Sequence, residues 1–242
     1  MTLKCIGSGS SGNSYALVDN DNRILLLDLG LPAKEIKRAI DFRISDVVGA
    51  VVTHQHQDHS KAVADFEKMG IPVFAPHKSL EPMDFNGWQG TIQAIDLTDL
   101  NGKWMHTNAD GSECPCYGFL IKHPDMGRLL YITDTELVKW RFKDINHILL
   151  GTNYDKNMID DENQSKKNHV YRGHLSIDTA CDFVKANNSD ALQNVIMCHL
   201  SNENADKDLF IEKMKKIVHE ENVFVAERGL EVELRKKGEC PF

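Results

Sequence analysis

His54-Gln55-His56-Gln57-Asp58-His59 places three imidazoles and a carboxylate within six residues, directly after the apolar run 47–53 (VVGAVVT). Left without partners in a folded interior these groups are costly, and a divalent cation satisfies them together. If the loop bends tightly, His54 and His56 point to one metal while Asp58 and His59 point to a second. The bland alternative is a chance cluster on a polar loop. Against it stands the position of the cluster, which follows a strand and opens a helix.

Three further apolar runs end in a chemically distinctive residue: 24–27 (ILLL) before Asp28, 129–133 (LLYIT) before Asp134, and 195–198 (VIMC) before His199. Near-continuous apolar runs suit strands buried on both faces, in sheets covered by helices. The ends of such strands are where sites are built. Helical patterns cover 61–69, 177–186 after the cap candidate Ser176, and 206–221. The order strand-to-Asp then strand-to-His occurs twice, with spacings of 26 and 65 positions, which suggests an internal duplication and no more. Polar clusters at 19–22 and 108–112 read as turns, and 155–172 as a surface loop. No Pro/Gly/Ser linker divides the chain, so residues 1–242 read as one domain.

Composition narrows the function classes. The 242 residues carry 28 Lys+Arg against 36 Asp+Glu, a net charge of −8, with 41% hydrophobic residues, which excludes disorder. No apolar stretch approaches the roughly 20 residues of a membrane span, and the N-terminus lacks the apolar core of a signal peptide, so a cytoplasmic protein without a membrane partner is expected. The six cysteines (5, 114, 116, 181, 198, 240) are too sparse for a disulfide framework and read as reduced. Net acidity argues against non-specific coating of nucleic acid. It does not exclude a nuclease, whose metal supplies positive charge locally.

The run from His54 to His59 resembles the HxHxDH signature of the metallo-β-lactamase fold hydrolases. The opening Gly7-Ser8-Gly9-Ser10-Ser11-Gly12-Asn13 with Tyr15 looks like the start of their YycJ/WalJ-like branch. Further matches are Tyr131-Ile132-Thr133-Asp134-Thr135, Asn153-Tyr154-Asp155, Gly173-His174-Leu175-Ser176 and His199-Leu200-Ser201-Asn202-Glu203-Asn204. The resemblance implies an α/β protein, a four-layer αββα sandwich of mixed sheets with helices on the outer faces and a two-metal site at one edge. It implies His54, His56 and His106 on one metal, Asp58, His59 and His199 on the other, and Asp134 bridging them. The ions would be zinc or manganese, with iron possible, and a hydroxide between them would attack the substrate. In this fold Asp28 looks like the acid that orients a ligand imidazole; a turn aspartate before Gly30 is the alternative.

The same residues also have plain structural readings. Asp134 could cap a helix beside Thr135, His199 could be a satisfied core histidine, and His106 lies in an unpatterned stretch where a surface histidine is common. His174 competes with His199 for one ligand position, since both precede Leu-Ser. Because His199 follows a strand, the metal is assigned to it, and His174 resembles the extra histidine of nucleic-acid-processing branches that contacts the scissile phosphate or protonates the leaving oxygen. The catalytic set is then Asp58, Asp134 and His174. Two departures from the branch stand out: Thr107 follows His106 where an acid is usual, with Asp110 displaced into a hairpin extension, and Gly151 occupies a second usually acidic position.

Cys114-Pro115-Cys116 lacks a second pair and reads as structural. Lys213, Lys215 and Lys216 alternate with Glu212, Glu220 and Glu221 as a solvated helix face. Lys166, Lys167 and Arg172 are candidates for holding a phosphate backbone. The expected function is a phosphodiesterase, in the first place a DNA exonuclease. Only 40 positions separate Asp134 from His174, too few for the long insert of large RNA-processing relatives. The competing functions are hydrolysis of a small ester, lactone, thioester or cyclic nucleotide, and a non-catalytic metal-binding protein, against which the complete ligand set argues.

Overall fold

The computed structural model describes residues 1–75, 85–159, 171, 173–218 and 222–236. Twelve strands among them form two six-stranded sheets. The first has the order β12-β1-β2-β3-β4-β5, from β1 (Thr2–Gly7), β2 (Ser14–Val18), β3 (Ile24–Leu27), β4 (Val47–Val51), β5 (Val73–Phe74) and β12 (Glu231–Glu233). The second has the order β11-β10-β9-β8-β7-β6, from β6 (Thr91–Asp96), β7 (Tyr117–His123), β8 (Gly127–Ile132), β9 (His147–Gly151), β10 (Asn194–Cys198) and β11 (Val223–Val225). Both sheets are mixed. β3, β4 and β5 run parallel, as do β8, β9, β10 and β11, while the remaining pairs are antiparallel.

The apolar runs work by alternation, because successive side chains of a strand point to opposite faces. In β3, Leu25 and Leu27 enter the core between the sheets, with Tyr15, Phe119, Tyr131 and Ile196. Ile24 and Leu26 face the other way, onto Ile36, Ile40 and Phe66 of the helices that cover the first sheet. In the second sheet Leu130, Ile132, Leu150 and Met197 pack on Ile177, Val184, Phe210 and Met214 of the helices Ile177–Asn187 and Lys207–Lys215. Three apolar layers thus hold four layers of secondary structure, the αββα sandwich expected from the sequence.

Element ends differ from the sequence reading in ways that side chains explain. The helix expected over 61–69 is present as Val63–Lys68, and a separate short helix, Gln57–Ser60, precedes it. Ser176 is the cap foreseen, its hydroxyl accepting from the Thr179 amide at 3.2 Å. Asp206 is a cap too, accepting from the amides of Asp208 and Leu209, so the last helix starts at Lys207 and ends at Lys215. Glu220 and Glu221 lie outside the described residues, as do Lys166, Lys167, Arg172 and Cys240. Lys213 is not part of a solvated face: its Nζ lies 3.1 Å from the buried carboxylate of Asp155 and 3.0 Å from Asp178. Of the loop expected over 155–172, the first part is a turn, Lys156–Met158, capped by Asp155. The five described cysteines are free. Among the described residues no helix is long and apolar enough to cross a membrane.

Candidate metal centre

The parallel strands of both sheets end on the same rim, and the chemistry-bearing side chains follow those ends. Asp28 follows β3, Asp134 lies just past β8, and His199 follows β10, with φ of 55°, 47° and 55°. Left-handed backbone at a non-glycine residue costs about 1–3 kcal/mol and persists only where the surrounding fold enforces it. Here it turns three chains sharply out of their sheets, so that the side chains converge. β4 delivers His54 through Thr53, and the helix Gln57–Ser60 carries Asp58 and His59 back toward the same point.

That loop sits unusually close to the end of β3. The Asn13 amide donates to the Asp58 carbonyl at 2.7 Å, and the Leu29 amide donates to the His59 carbonyl. A β-carbon at Gly30 would lie 1.7 Å from the Asp58 carbonyl oxygen, so only glycine permits the approach.

Four overlapping groups of donors result, each with ligand atoms within 4.8 Å of one another: His54, His56 and His106; His54, His59 and Asp134; Asp58, His59 and His199; Asp134, His174 and His199. His106 Nε2 lies 2.9 Å from His56 Nδ1. Asp134 Oδ2 lies 2.8 Å from His59 Nε2 and 3.9 Å from His54 Nε2, and its Oδ1 lies 2.7 Å from His174 Nδ1. His199 Nε2 is 3.3 Å from Asp58 Oδ2. The pocket enclosed by these groups, with Ser10, Asn153 and Ser201, measures about 260 Å³.

Buried neighbours fix the imidazoles. His59 Nδ1 is 2.6 Å from Asp28 Oδ2, and Asp28 also accepts from the Thr53 amide and hydroxyl and from the Tyr131 hydroxyl at 2.5 Å. The Nδ1 of His199 is 3.1 Å from Asn153 Nδ2, while its amide donates to Ser8, which also receives the Tyr15 hydroxyl. His56 Nε2 meets Asn108 Oδ1 at 3.1 Å. Carboxylate and amide partners of this kind set tautomer and ring orientation in metal-ligating histidines.

The electrostatics divide the site. Burial pushes His54 well below the ordinary histidine value and His106 down to about 3, so both present neutral rings with lone pairs. Burial opposes charge on His59 as well, but the carboxylates of Asp28 and Asp134 overcome it and hold its pKa well above the usual value. Asp134 is buried, yet His199 and His59 keep its carboxyl well below the usual carboxylate range. This interior demands positive charge. His54 Nε2 is buried and makes no hydrogen bond. A neutral nitrogen with nothing to bind, beside ionised carboxylates and other imidazoles, fits divalent cations held by nitrogen and oxygen ligands.

All seven residues expected as ligands line or adjoin this one pocket. His199, not His174, stands with Asp58 and His59, and His174 contacts Asp134 at the rim, 14% exposed. No described helix starts at Asp134, so it is not a cap. Of the two departures from the branch, that at Gly151 has a steric reason. A β-carbon at Gly151 would meet Thr133 Oγ1 at 2.9 Å and its Cα at 3.0 Å, leaving no room for an acid. Asp110 is exposed and occupied by the Ser112 amide and hydroxyl in the hairpin turn, so it does not replace the acid missing at Thr107. Cys114 and Cys116 are buried packing residues, Cys116 Sγ lying 3.7 Å from the Thr133 carbonyl. Sequence reasoning gave no role to Tyr131, Thr53, Asn13, Asn153, Asn108 or Ser8. For Tyr131 a signal existed, an aromatic hydroxyl on the inward face of a buried strand, where a polar partner is required.

A model of the metallo-beta-lactamase superfamily matches residues 7–154. The chain is 26% identical over 245 residues to the exodeoxyribonuclease YycJ of Bacillus anthracis, covering 92% of this chain and 90% of that protein. It is 24% identical over 227 residues to the exodeoxyribonuclease WalJ of Streptococcus pneumoniae serotype 2 (strain D39 / NCTC 7466), covering 84% and 83%. Among solved structures, the metallo-beta-lactamase fold protein YhfI of Bacillus subtilis superposes with a TM-score of 0.66 at 13% identity, over 96% of this chain and 98% of that one.

Proposed function

The chain belongs to the metallo-β-lactamase superfamily of hydrolases, and we propose that it is a two-metal phosphodiesterase that shortens DNA from an end. His54, His56 and His106 would hold one ion, Asp58, His59 and His199 the other, with Asp134 between them. A pair of cations so held supplies activated water for attack at phosphorus and positive charge for the oxyanion that develops. Zinc and manganese suit the nitrogen and oxygen donors, and iron is compatible with them.

The observation that carries the reading is the reach of Asp134, whose two oxygens lie 2.8 Å from His59 and 2.7 Å from His174. A single carboxylate there ties the two donor trios to the rim histidine. Asp58 and Asp134 orient the attacking water by accepting its hydrogen bonds. His174, fixed through Nδ1 by Asp134 and open to the pocket, gives a proton from its other nitrogen to the departing oxygen. The names of the two exodeoxyribonuclease relatives support DNA as the polymer.

The test is incubation of metal-stripped protein, reloaded with manganese or zinc, with end-labelled linear double-stranded DNA beside a His56→Ala control. Metal-dependent stepwise shortening, absent in the control, is expected. Intact DNA with two metals bound per chain shifts the reading to a small ester or cyclic phosphodiester, which the acidic balance of the chain also accommodates.

A further inference from the structure

The metal pocket, about 260 Å³, is smaller than the roughly 300–1,000 Å³ of sites that enclose a whole small-molecule ligand. It suits a phosphate group, and the rest of a polymeric substrate must lie elsewhere. A groove of about 940 Å³ opens beside it, lined in part by Trp104, Met105, Leu137, Tyr154, Lys156 and Tyr171. The two cavities are lined by neighbouring residues of the chain: Met105 and Thr107 flank His106, Glu136 follows Asp134 by two residues, and Tyr154 follows Asn153.

The rings in this groove are packed against neighbouring rings. Tyr154 is 4% exposed and meets Tyr171 edge-on, centroids 5.5 Å apart, leaving Tyr171 half-buried at the surface. Trp104 is likewise half-buried, braced by Tyr117 at 5.0 Å. Leu137 is 51% exposed on the same wall. Among the described residues the charged lining is Lys103 and Lys156 with Asp99, Glu113 and Glu136. A groove that tracks a sugar-phosphate backbone needs an excess of cations, and the described lining of this one has three carboxylates to two amines. What it offers is aromatic surface for stacking and carboxylate acceptors for the exocyclic amines of base edges.

We propose that this groove is a base-stacking subsite that takes one or two unpaired nucleotides adjoining the scissile phosphate, with a nucleobase on Tyr171 or Trp104. The inference rests on the phosphodiesterase reading and narrows it, because the substrate presented to the metals is then a single-stranded or frayed end. A paired duplex hides its base faces and would leave the aromatic surface of the groove unused.

The experiment compares kcat/KM for a short single-stranded DNA oligonucleotide with kcat/KM for bis(p-nitrophenyl) phosphate, a phosphodiester without bases. Tyr171→Ala and Trp104→Ala are each expected to lower the ratio of the two by about tenfold or more, with Tyr171→Phe and Trp104→Phe retaining it within about threefold, since a ring still stacks. A ratio unchanged within twofold in both alanine variants overturns the subsite, as does a loss in the phenylalanine variants equal to that in the alanine variants. If the wild-type protein cleaves neither compound, the phosphodiesterase reading has failed. A methylphosphonate oligonucleotide carrying terminal 2-aminopurine then decides the subsite alone: quenching by the wild type that disappears in the alanine variants upholds it, and no quenching overturns it.

Discussion

Tyr131 and Asp28 belong to different sheets, and the hydroxyl of one donates to the carboxylate of the other at 2.5 Å. The same carboxylate oxygen holds His59 Nδ1 at 2.6 Å. The packing of the two sheets is therefore coupled directly to the orientation of an imidazole in the metal pocket. Tyr131→Phe keeps the ring in the inter-sheet core and removes only the donor. Metal affinity, measured by chelator competition, is expected to fall about tenfold, the lower end for outer partners of ligating histidines. An unchanged affinity would show that Thr53 alone suffices to hold Asp28.

Gly30 is the counterpart on the backbone side. With a β-carbon 1.7 Å from the Asp58 carbonyl, Gly30→Ala cannot be absorbed by rotation of a side chain. The expected outcome is a loss of at least about 1–3 kcal/mol in urea-induced unfolding, with fewer than two metals bound per folded chain. Normal stability with normal stoichiometry would mean that the 54–59 loop adjusts freely.

The two rim histidines separate by metal content. His199→Ala is expected to bind only one ion tightly. His174→Ala is expected to keep both and to lose about 10²–10⁴-fold in kcat, the range for a general acid. Elemental analysis beside steady-state kinetics reads both quantities. The opposite pattern would exchange the two assignments.

His147, at the start of β9, is buried away from the site, its Nε2 against the Met126 carbonyl and its Nδ1 beside Asn194. Burial pushes its pKa down to about 4, only partly opposed by the hydrogen bond to Met126. In the unfolded chain the value is about 6.5. The unfolded state thus binds the proton more tightly, so this contribution is fully present above about pH 6.5 and is lost as pH falls toward 4, by up to about 3 kcal/mol. The ring's NMR titration is expected to show a midpoint near 4. A midpoint at or above 6 would contradict the assignment.

Much of this architecture was legible because its chemistry is local. The apolar runs before Asp28, His54, Asp134 and His199 announce buried strands, and the clustered imidazoles at 54–59 announce a cation. His106 was hard to place because it sits in a hairpin of isolated bridges, Thr98 to Trp104 and Thr107 to Glu113, rather than on a patterned strand. The partners of the imidazoles were less legible still. Asn153 meets His199 across 46 positions, at the ends of neighbouring strands, and Tyr131 meets Asp28 across 103, a contact that exists only once both sheets are assembled. The vacancy at Gly151 was visible in the sequence, but its cause, the nearness of Thr133, was not.

The left-handed residues at the strand ends have one more implication. Glycine would adopt the φ of 55°, 47° and 55° at Asp28, Asp134 and His199 without steric cost. An architecture released from its chemistry would gain by drifting toward it, since residues that serve activity often do so against stability. At these three positions two carboxylates and an imidazole take on that cost, and their side chains meet in the metal pocket or brace a residue of it.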